Sequence, residues 1–426
     1  MCAKIFYAGT EEEVLHHARP LMDHFEIEIV PPERLGRVAT GQDLAIFFSE
    51  HFQRFRTAIG ELKEKGCRTL YAIDGILEWR NAFENRQDEP ACPWTMRPVL
   101  SDKVATIGRS QARMLAYWGN REKVELIGLP RLDSLVGECF GPDRNPSGGG
   151  ASPESRRKKR VLVTTAKWPA FTEDQFQKVA SSLSDLKELF LEKKESVEVV
   201  WRLTGGLDEF LEVENNLGSL DGGELVDMLG ECDALITTPS TSMLEGMLLD
   251  LPTAVLEYND CPQLTGSAWQ IRDRQQMHQV IDELFSPPDR KMAQQEYFLH
   301  DNLECRTPAV ERLKFLVEQM LSHEAGRAPE QLVSVESPLS SAAIGYEFLF
   351  NGHQLIESGE ELEWKAQIAN LQRELAMVRE RNELLEREFG RAQSTIENVF
   401  NNPVISPFIK AGELAGRVLG RNTNSG

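Results

Sequence analysis

The chain has 426 residues, a formal net charge of −20, and 41% hydrophobic and 27% charged residues. A chain of this length holds about two or three domains, and its ordinary composition points to globular structure and not to a disordered or fibrous protein. The acidic balance argues against a nucleic-acid-binding surface. Seven scattered cysteines, odd in number and without CxxC spacing, argue against a disulfide frame or a zinc site.

The opening stretch MCAKIFYAGTEEEV carries no signal-peptide pattern. No run approaches the ~20 apolar residues of a membrane span. The expectation is a cytoplasmic protein that meets the inner face of a membrane at most peripherally.

In chain order, apolar runs over 4–7, 25–30, 43–48, 68–73, 104–107 and 124–127 read as strands, with helical patterns at 11–22, 52–65 and 111–118 between them. This alternation predicts a doubly wound parallel sheet in residues 1–140. Ligands bind such sheets outside the carboxyl ends of the strands. The residues just past those ends are Ser49, Glu50, His51, Asp74, Gly75, Arg109, Ser110, Arg131 and Asp133. Each also has a plain structural reading. Asp74-Gly75 suits a turn, and Arg131 with Asp133 suits a local ion pair.

Residues 141–160, GPDRNPSGGGASPESRRKKR, lose all periodicity and read as a linker. Alternation resumes over 161–325, with strands at 161–164, 197–201, 234–238 and 253–256 and helices at 176–191 and 220–229. A helix over 309–321 is expected to close this second half. At its crevice edge stand Thr165, Lys167, Arg202, Thr204, Ser240, Thr241, Glu245 and Glu257. Hydroxyls, cations and two carboxylates at strand ends suit a nucleotide diphosphate held without a metal. Neither half has a GxGxxG or Walker pattern, and no HxxxH, DxD or cysteine–histidine spacing suggests a metal; no cofactor is expected.

The most informative stretch is CDALITTPSTSMLEGMLLDLPTAVLEY, residues 232–258. It reads as strand, helix and strand, with Pro239 and Ser240-Thr241-Ser242 opening the helix. Such a helix start favours an anion. Ser242-Met243-Leu244-Glu245 also fits a capping box, in which Glu245 only ties back to the helix start. Local grammar favours the cap; the placement beside Lys167 and Arg202 in the second of two similar halves favours a binding site.

Residues 326–359 hold Pro, Ser, Gly and a short hairpin signal at Asn351-Gly352. From Trp364, apolar residues recur at intervals of four and three through Ile368, Leu371, Leu375, Val378, Leu385, Phe389, Ala392, Ile396 and Val399, with Asn382 in the one gap. That heptad series over 360–400 predicts a coiled coil and a homodimer. Pro403 and Pro407 end it, and 401–426 form a tail.

Two Rossmann-like halves with this phosphate-loop stretch resemble the GT-B glycosyltransferases, in particular the group around bacterial surface-polysaccharide transferases and CDP-glycerol glycerophosphotransferases. KVELIGLPRLDSL, VLVTTAKWPAF, VEVVWRLTGG and SAWQIRDRQQMHQVIDELFSPPDRKMAQQEYFL carry the resemblance, which spans 4–320. It implies an α/β chain of two parallel-sheet domains, followed here by the coiled-coil helix. It also implies an inverting, metal-independent transfer from a UDP- or CDP-linked donor to a carbohydrate or polyol acceptor. Ser240 and Thr241 match residues that contact the donor diphosphate, Glu245 the carboxylate that holds the ribose, and Arg202 a phosphate-facing cation. Where glycerophosphotransferases tend to carry His-Gly after a strand, this chain has Asp74-Gly75, and Asp74 becomes the expected general base. The alternatives are a sugar-nucleotide 2-epimerase and a non-catalytic assembly protein built on the same fold.

Overall fold

The computed structural model describes residues 3–84, 96–140, 158–218, 222–305 and 308–322. The expected linker core, the hairpin, the coiled coil and the tail lie outside the described residues.

The first half holds β1 (Ile5–Ala8), α1 (Glu11–Met22), β2 (Ile27–Val30), α2 (Pro32–Val38), β3 (Leu44–Phe47), α3 (Gln53–Glu64), β4 (Arg68–Ala72), β5 (Lys103–Thr106), α4 (Arg109–Leu115), β6 (Val124–Leu126) and α5 (Asp133–Phe140). Its six strands run parallel in the order β2-β1-β3-β4-β5-β6. The central strands β1 (IFYA) and β3 (LAIF) are apolar throughout because both faces are covered. Ile5, Tyr7, Leu44 and Ile46 turn to one core, and Phe6, Ala8, Ala45 and Phe47 to the other. α1 supplies Val14, Ala18 and Leu21 to the first core, and α3 supplies Phe55, Ala58, Ile59 and Leu62 to the second.

The second half holds β7 (Lys159–Thr164), α6 (Glu173–Glu192), β8 (Val197–Arg202), α7 (Leu207–Phe210), α8 (Gly222–Gly230), β9 (Ala234–Thr237), α9 (Ser242–Leu248), β10 (Thr253–Leu256), β11 (Trp269–Ile271), α10 (Arg274–Phe285), α11 (Asp289–Asn302) and α12 (Ala309–Ser322). Its strands are parallel in the order β11-β10-β9-β7-β8. β7 begins two residues inside the stretch expected to be linker. α6 and α10 pack Leu183, Leu186, Met277 and Ile281 on one face, around the buried Trp269 of β11.

One expectation is corrected here. The helix over 309–321 does not close the second half. α12 lays Leu313, Leu316, Val317 and Met320 on the first sheet, in one core with Ile5, Tyr7, Val14 and Ile127. Asp133 fixes its start, accepting the N–H groups of Ala309 and Val310 at 2.7 and 2.8 Å. The chain between α11 and α12 is held just as closely. Arg109 pairs with Glu304 at 3.2 Å, and a Cβ on Gly108 would stand 2.0 Å from the Asn302 carbonyl.

Candidate functional site

Strand order reverses between β1 and β3 in the first sheet and between β7 and β9 in the second. Crevices form at the carboxyl ends of such switch points. The residues leaving these ends meet across the junction of the halves. Thr241 Oγ1 accepts the Ile76 N–H at 3.3 Å, Arg131 reaches Glu245 at 2.8 Å, and the fully buried Arg80 donates to the Pro169 carbonyl at 2.7 Å. Gly75 permits this approach, since a Cβ there would stand 2.5 Å from Thr241 Oγ1.

On the second-half side, α9 starts without a capping box. Thr241, at the N-cap, makes no capping hydrogen bond. Ser242 is the first helical residue, and its hydroxyl is taken by Thr237 at 3.0 Å and Ser240 at 3.1 Å. Glu245 therefore does not tie back to the helix start. One of its oxygens binds Arg131, while the other is buried with no hydrogen-bond partner. Arg202 shows the converse. Its Nη1 donates to Thr164 at 3.0 Å, but its Nε is buried without an acceptor. Burial lowers its pKa, against the pull of Glu245. Buried polar atoms are nearly always paired, so an orphan acceptor and an orphan donor at one sheet edge call for an explanation.

On the first-half side, Asp74 follows β4, and His17 of α1 places Nε2 3.6 Å from its Oδ2. The Asp74 side chain keeps 44% of its surface open. Loss of hydration still pushes the carboxyl above the usual carboxylate range, opposed by Arg131 and Lys167. The same two cations, together with His16, reinforce the burial that brings the His17 pKa down to about 3. His17 is thus a neutral imidazole near pH 7, stacked on Phe48 at 5.9 Å between ring centroids and tilted by 44° against the His16 ring at 3.6 Å. Asp74 with His17 forms an acid–base pair of the kind that accepts a proton from a bound hydroxyl or carbon acid.

The structure brings Asp74, Lys167, Ser240, Thr241, Glu245 and Arg202 to the crevice. Thr165 and Thr204 sit beneath it. Thr165 is fully buried, its hydroxyl bonded to Thr204 at 2.9 Å, and Thr204 in turn donates to the Ala166 carbonyl at 2.6 Å. These bonds fix the loop that carries the exposed Lys167. Of the other strand-end residues, Arg131 joins the site, and it pairs with Glu245 and not with Asp133. Glu50 is structural, accepting the N–H groups of Leu100 and Ser101 at 2.8 and 2.9 Å. Residue-by-residue reading missed His16 and His17 because they lie two turns into a helix, away from any strand end. The available signal was the placement of His17 three residues after Val14, on the helix's core-facing side. Among the described residues, no three His, Cys, Asp or Glu side chains converge as metal ligands would.

Two parallel sheets with facing switch points and a final helix that returns to the first sheet define a GT-B-type fold. The chain is similar to Staphylococcus aureus MnaA, solved with UDP, at a TM-score of 0.53 and 12% identity over 78% of this chain and 100% of that one. A structure described as a UDP-N-acetylglucosamine 2-epimerase from Listeria monocytogenes gives 0.51 and 12% over the same shares. The wall teichoic acid polymerase TagF, soaked with CDPG, gives 0.48 and 12% over 75% of this chain and 88% of that chain. No family model and no curated protein matches this chain.

Proposed function

We propose that the protein is a nucleotide-sugar enzyme that transfers a glycosyl or polyol-phosphate group from a UDP- or CDP-linked donor to a carbohydrate or polyol hydroxyl. The observation that carries this is the complementary pair of orphan atoms at the carboxyl edge of the second sheet, Glu245 Oε2 on α9 and Arg202 Nε at the end of β8. A ribose diol donates to carboxylates, and a diphosphate accepts from guanidinium groups. Glu245 Oε2 and Arg202 Nε are the acceptor and the donor that such a ligand needs. Ser240, Thr241 and Lys167 add hydroxyls and a cation beside them. The UDP bound to MnaA on the same fold supports the same class of ligand.

In this reading the donor lies in the crevice with its ribose on Glu245 and its diphosphate on Ser240, Thr241, Arg202 and Lys167. Asp74 takes the proton from the acceptor hydroxyl as that oxygen attacks. Glycosyl transfer breaks the anomeric C–O bond and releases the nucleoside diphosphate; polyol-phosphate transfer breaks the P–O–P link and releases the nucleoside monophosphate. In either case positive charge from Lys167 and Arg202 offsets the charge developing on the leaving phosphate. Glu245→Ala should weaken UDP or CDP binding at least tenfold by calorimetry; unchanged affinity would sink the assignment.

A second reading has its own support. The Listeria monocytogenes neighbour at a TM-score of 0.51 is described as a UDP-N-acetylglucosamine 2-epimerase, and Asp74 with a neutral His17 could equally shift a proton on a sugar carbon. Incubation with UDP-N-acetylglucosamine and no acceptor separates the two. A transferase leaves the sugar's configuration unchanged, and an epimerase equilibrates it.

A further inference from the structure

The segment that follows Asp74 is fastened at nearly every step. Within the first half, the Gly75 carbonyl accepts from Gln111 at 2.9 Å. The next three ties cross to the second half. The Ile76 N–H donates to Thr241 Oγ1 at 3.3 Å, Thr265 donates to the Leu77 carbonyl at 3.2 Å, and Arg80 donates to the Pro169 carbonyl at 2.7 Å. The Arg80 guanidinium is fully buried and also pairs with Glu78, which fixes its direction.

The anchorage is reciprocal. Pro169 lies two residues past Lys167, and the near end of that loop is held by the Ala166 N–H, which donates to Thr238 at 2.8 Å. A first-half side chain thus steadies the loop of Lys167, and second-half side chains steady the segment behind Asp74. Thr241 differs from the other ties because the same hydroxyl borders the proposed diphosphate site. A hydroxyl has one proton and two lone pairs. One lone pair takes the Ile76 N–H, and the hydroxyl makes no capping bond to α9. Its proton has no acceptor among the described residues and can turn to a phosphate oxygen, which only accepts. A hydroxyl that donates to an anion becomes the better acceptor in turn, by about 10–30% per bond. At 3.3 Å the Ile76 bond is longer than the usual N–H···O distance of about 2.9–3.0 Å, so it has room to shorten. Ile76 is two residues from Asp74, and the ties on either side keep the segment from absorbing the pull.

We propose that Thr241 couples donor binding to placement of the base: its hydroxyl holds the diphosphate on one side and the Asp74 segment on the other, with Thr265 and Arg80 as positioning residues at the far end. The proposal rests on the nucleotide-donor reading above.

The test is residue-resolved hydrogen exchange on the full chain, with UDP and CDP as probes. Saturating nucleotide should slow exchange of the Ile76 amide about threefold or more. In Thr241→Val, at an occupancy confirmed by calorimetry, that slowing should disappear, and in Thr241→Ser it should return. Thr265→Val should speed exchange across residues 75–80 without nucleotide and leave UDP affinity within about twofold. Slowing retained in Thr241→Val would overturn the proposal. So would nucleotide binding to the unaltered protein with no change at Ile76, a result that needs no variant to fold and leaves the nucleotide site standing. Unchanged exchange in Thr265→Val would show that the second half does not hold the segment, and would overturn it too. Binding of neither UDP nor CDP sinks the nucleotide reading, and the coupling with it.

Discussion

Asp74 and His17 face each other with opposite perturbations, and each implies a pH dependence of definite sign. In the proposed reaction Asp74 acts as its carboxylate, and burial raises its pKa above the ordinary 3.8. Turnover should therefore fall as pH drops, with a midpoint above that value. Asp74→Asn should abolish turnover at every pH while UDP affinity stays within about twofold, and normal turnover in the variant would remove Asp74 as the base. For His17 the folded pKa, about 3, lies below the ordinary 6.5. The unfolded chain then binds a proton that the folded one refuses. Its contribution to stability is complete above about pH 6.5 and is lost as pH falls from 6.5 towards 3. His17→Asn should flatten the loss of thermal stability over that window, and an identical pH–melting curve would contradict it. At Gly75 the space decides. Gly75→Ala forces a methyl against Thr241 and should cost about 1–3 kcal/mol by overpacking, measurable by urea unfolding. How far these residues were legible in sequence follows from geometry. Asp74, Lys167 and Ser240–Glu245 end strands or begin a helix, which chain order reveals. That Glu245 would pair with Arg131, 114 positions away in sequence, and that His17 would reach Asp74 depend on how two sheets face each other, which no local spacing encodes.

At the scale of elements, α12 is the instructive case. Its apolar face was readable from the spacing of Val310, Leu313, Leu316 and Met320, yet amphipathicity says that a face is buried and not what covers it. Proximity in sequence to the second half pointed the wrong way. Asp133 likewise sat at a strand's carboxyl end, where it suited a ligand or an ion pair, and it turns out to hold two backbone N–H groups of α12. Asp133→Ala should cost about 0.5–2 kcal/mol, as loss of a helix cap does, and Leu316→Ala, fully buried in the first core, about 2–5 kcal/mol. Both should lower the melting temperature without changing UDP affinity in proportion. β11, three residues long, and α2, opened by Pro31-Pro32, were too short to stand out from their surroundings.

For the molecule as a whole, the two halves are joined by side chains that a nucleotide would also use. A ligand that binds only the native state stabilises it by RT ln(1 + [L]/Kd), about 2.7 kcal/mol at one hundred times Kd. UDP or CDP at that excess should raise the melting temperature, and the Glu245→Ala protein should show less of this shift. The heptad series from Trp364 to Val399 makes a separate prediction. The full chain should scatter light as a dimer, and a chain ended near residue 325 as a monomer; a dimeric short form would place the main contact elsewhere. No helix among the described residues is long and apolar enough to cross a membrane.

The return of α12 to the first sheet has a consequence for synthesis. The first half is discontinuous, with residues 3–140 made early and its last core helix delivered only when Ser322 has been added. The intervening stretch of about 180 residues takes roughly 10–35 s to translate at 5–20 residues per second. During that interval Ile5, Tyr7 and Ile127 lack their covering helix, while the second sheet can already be complete. The N-terminal half is thus made first and finished last. A stalled or truncated nascent chain should leave that half, and not the nucleotide-side half, exposed to chaperones and proteases.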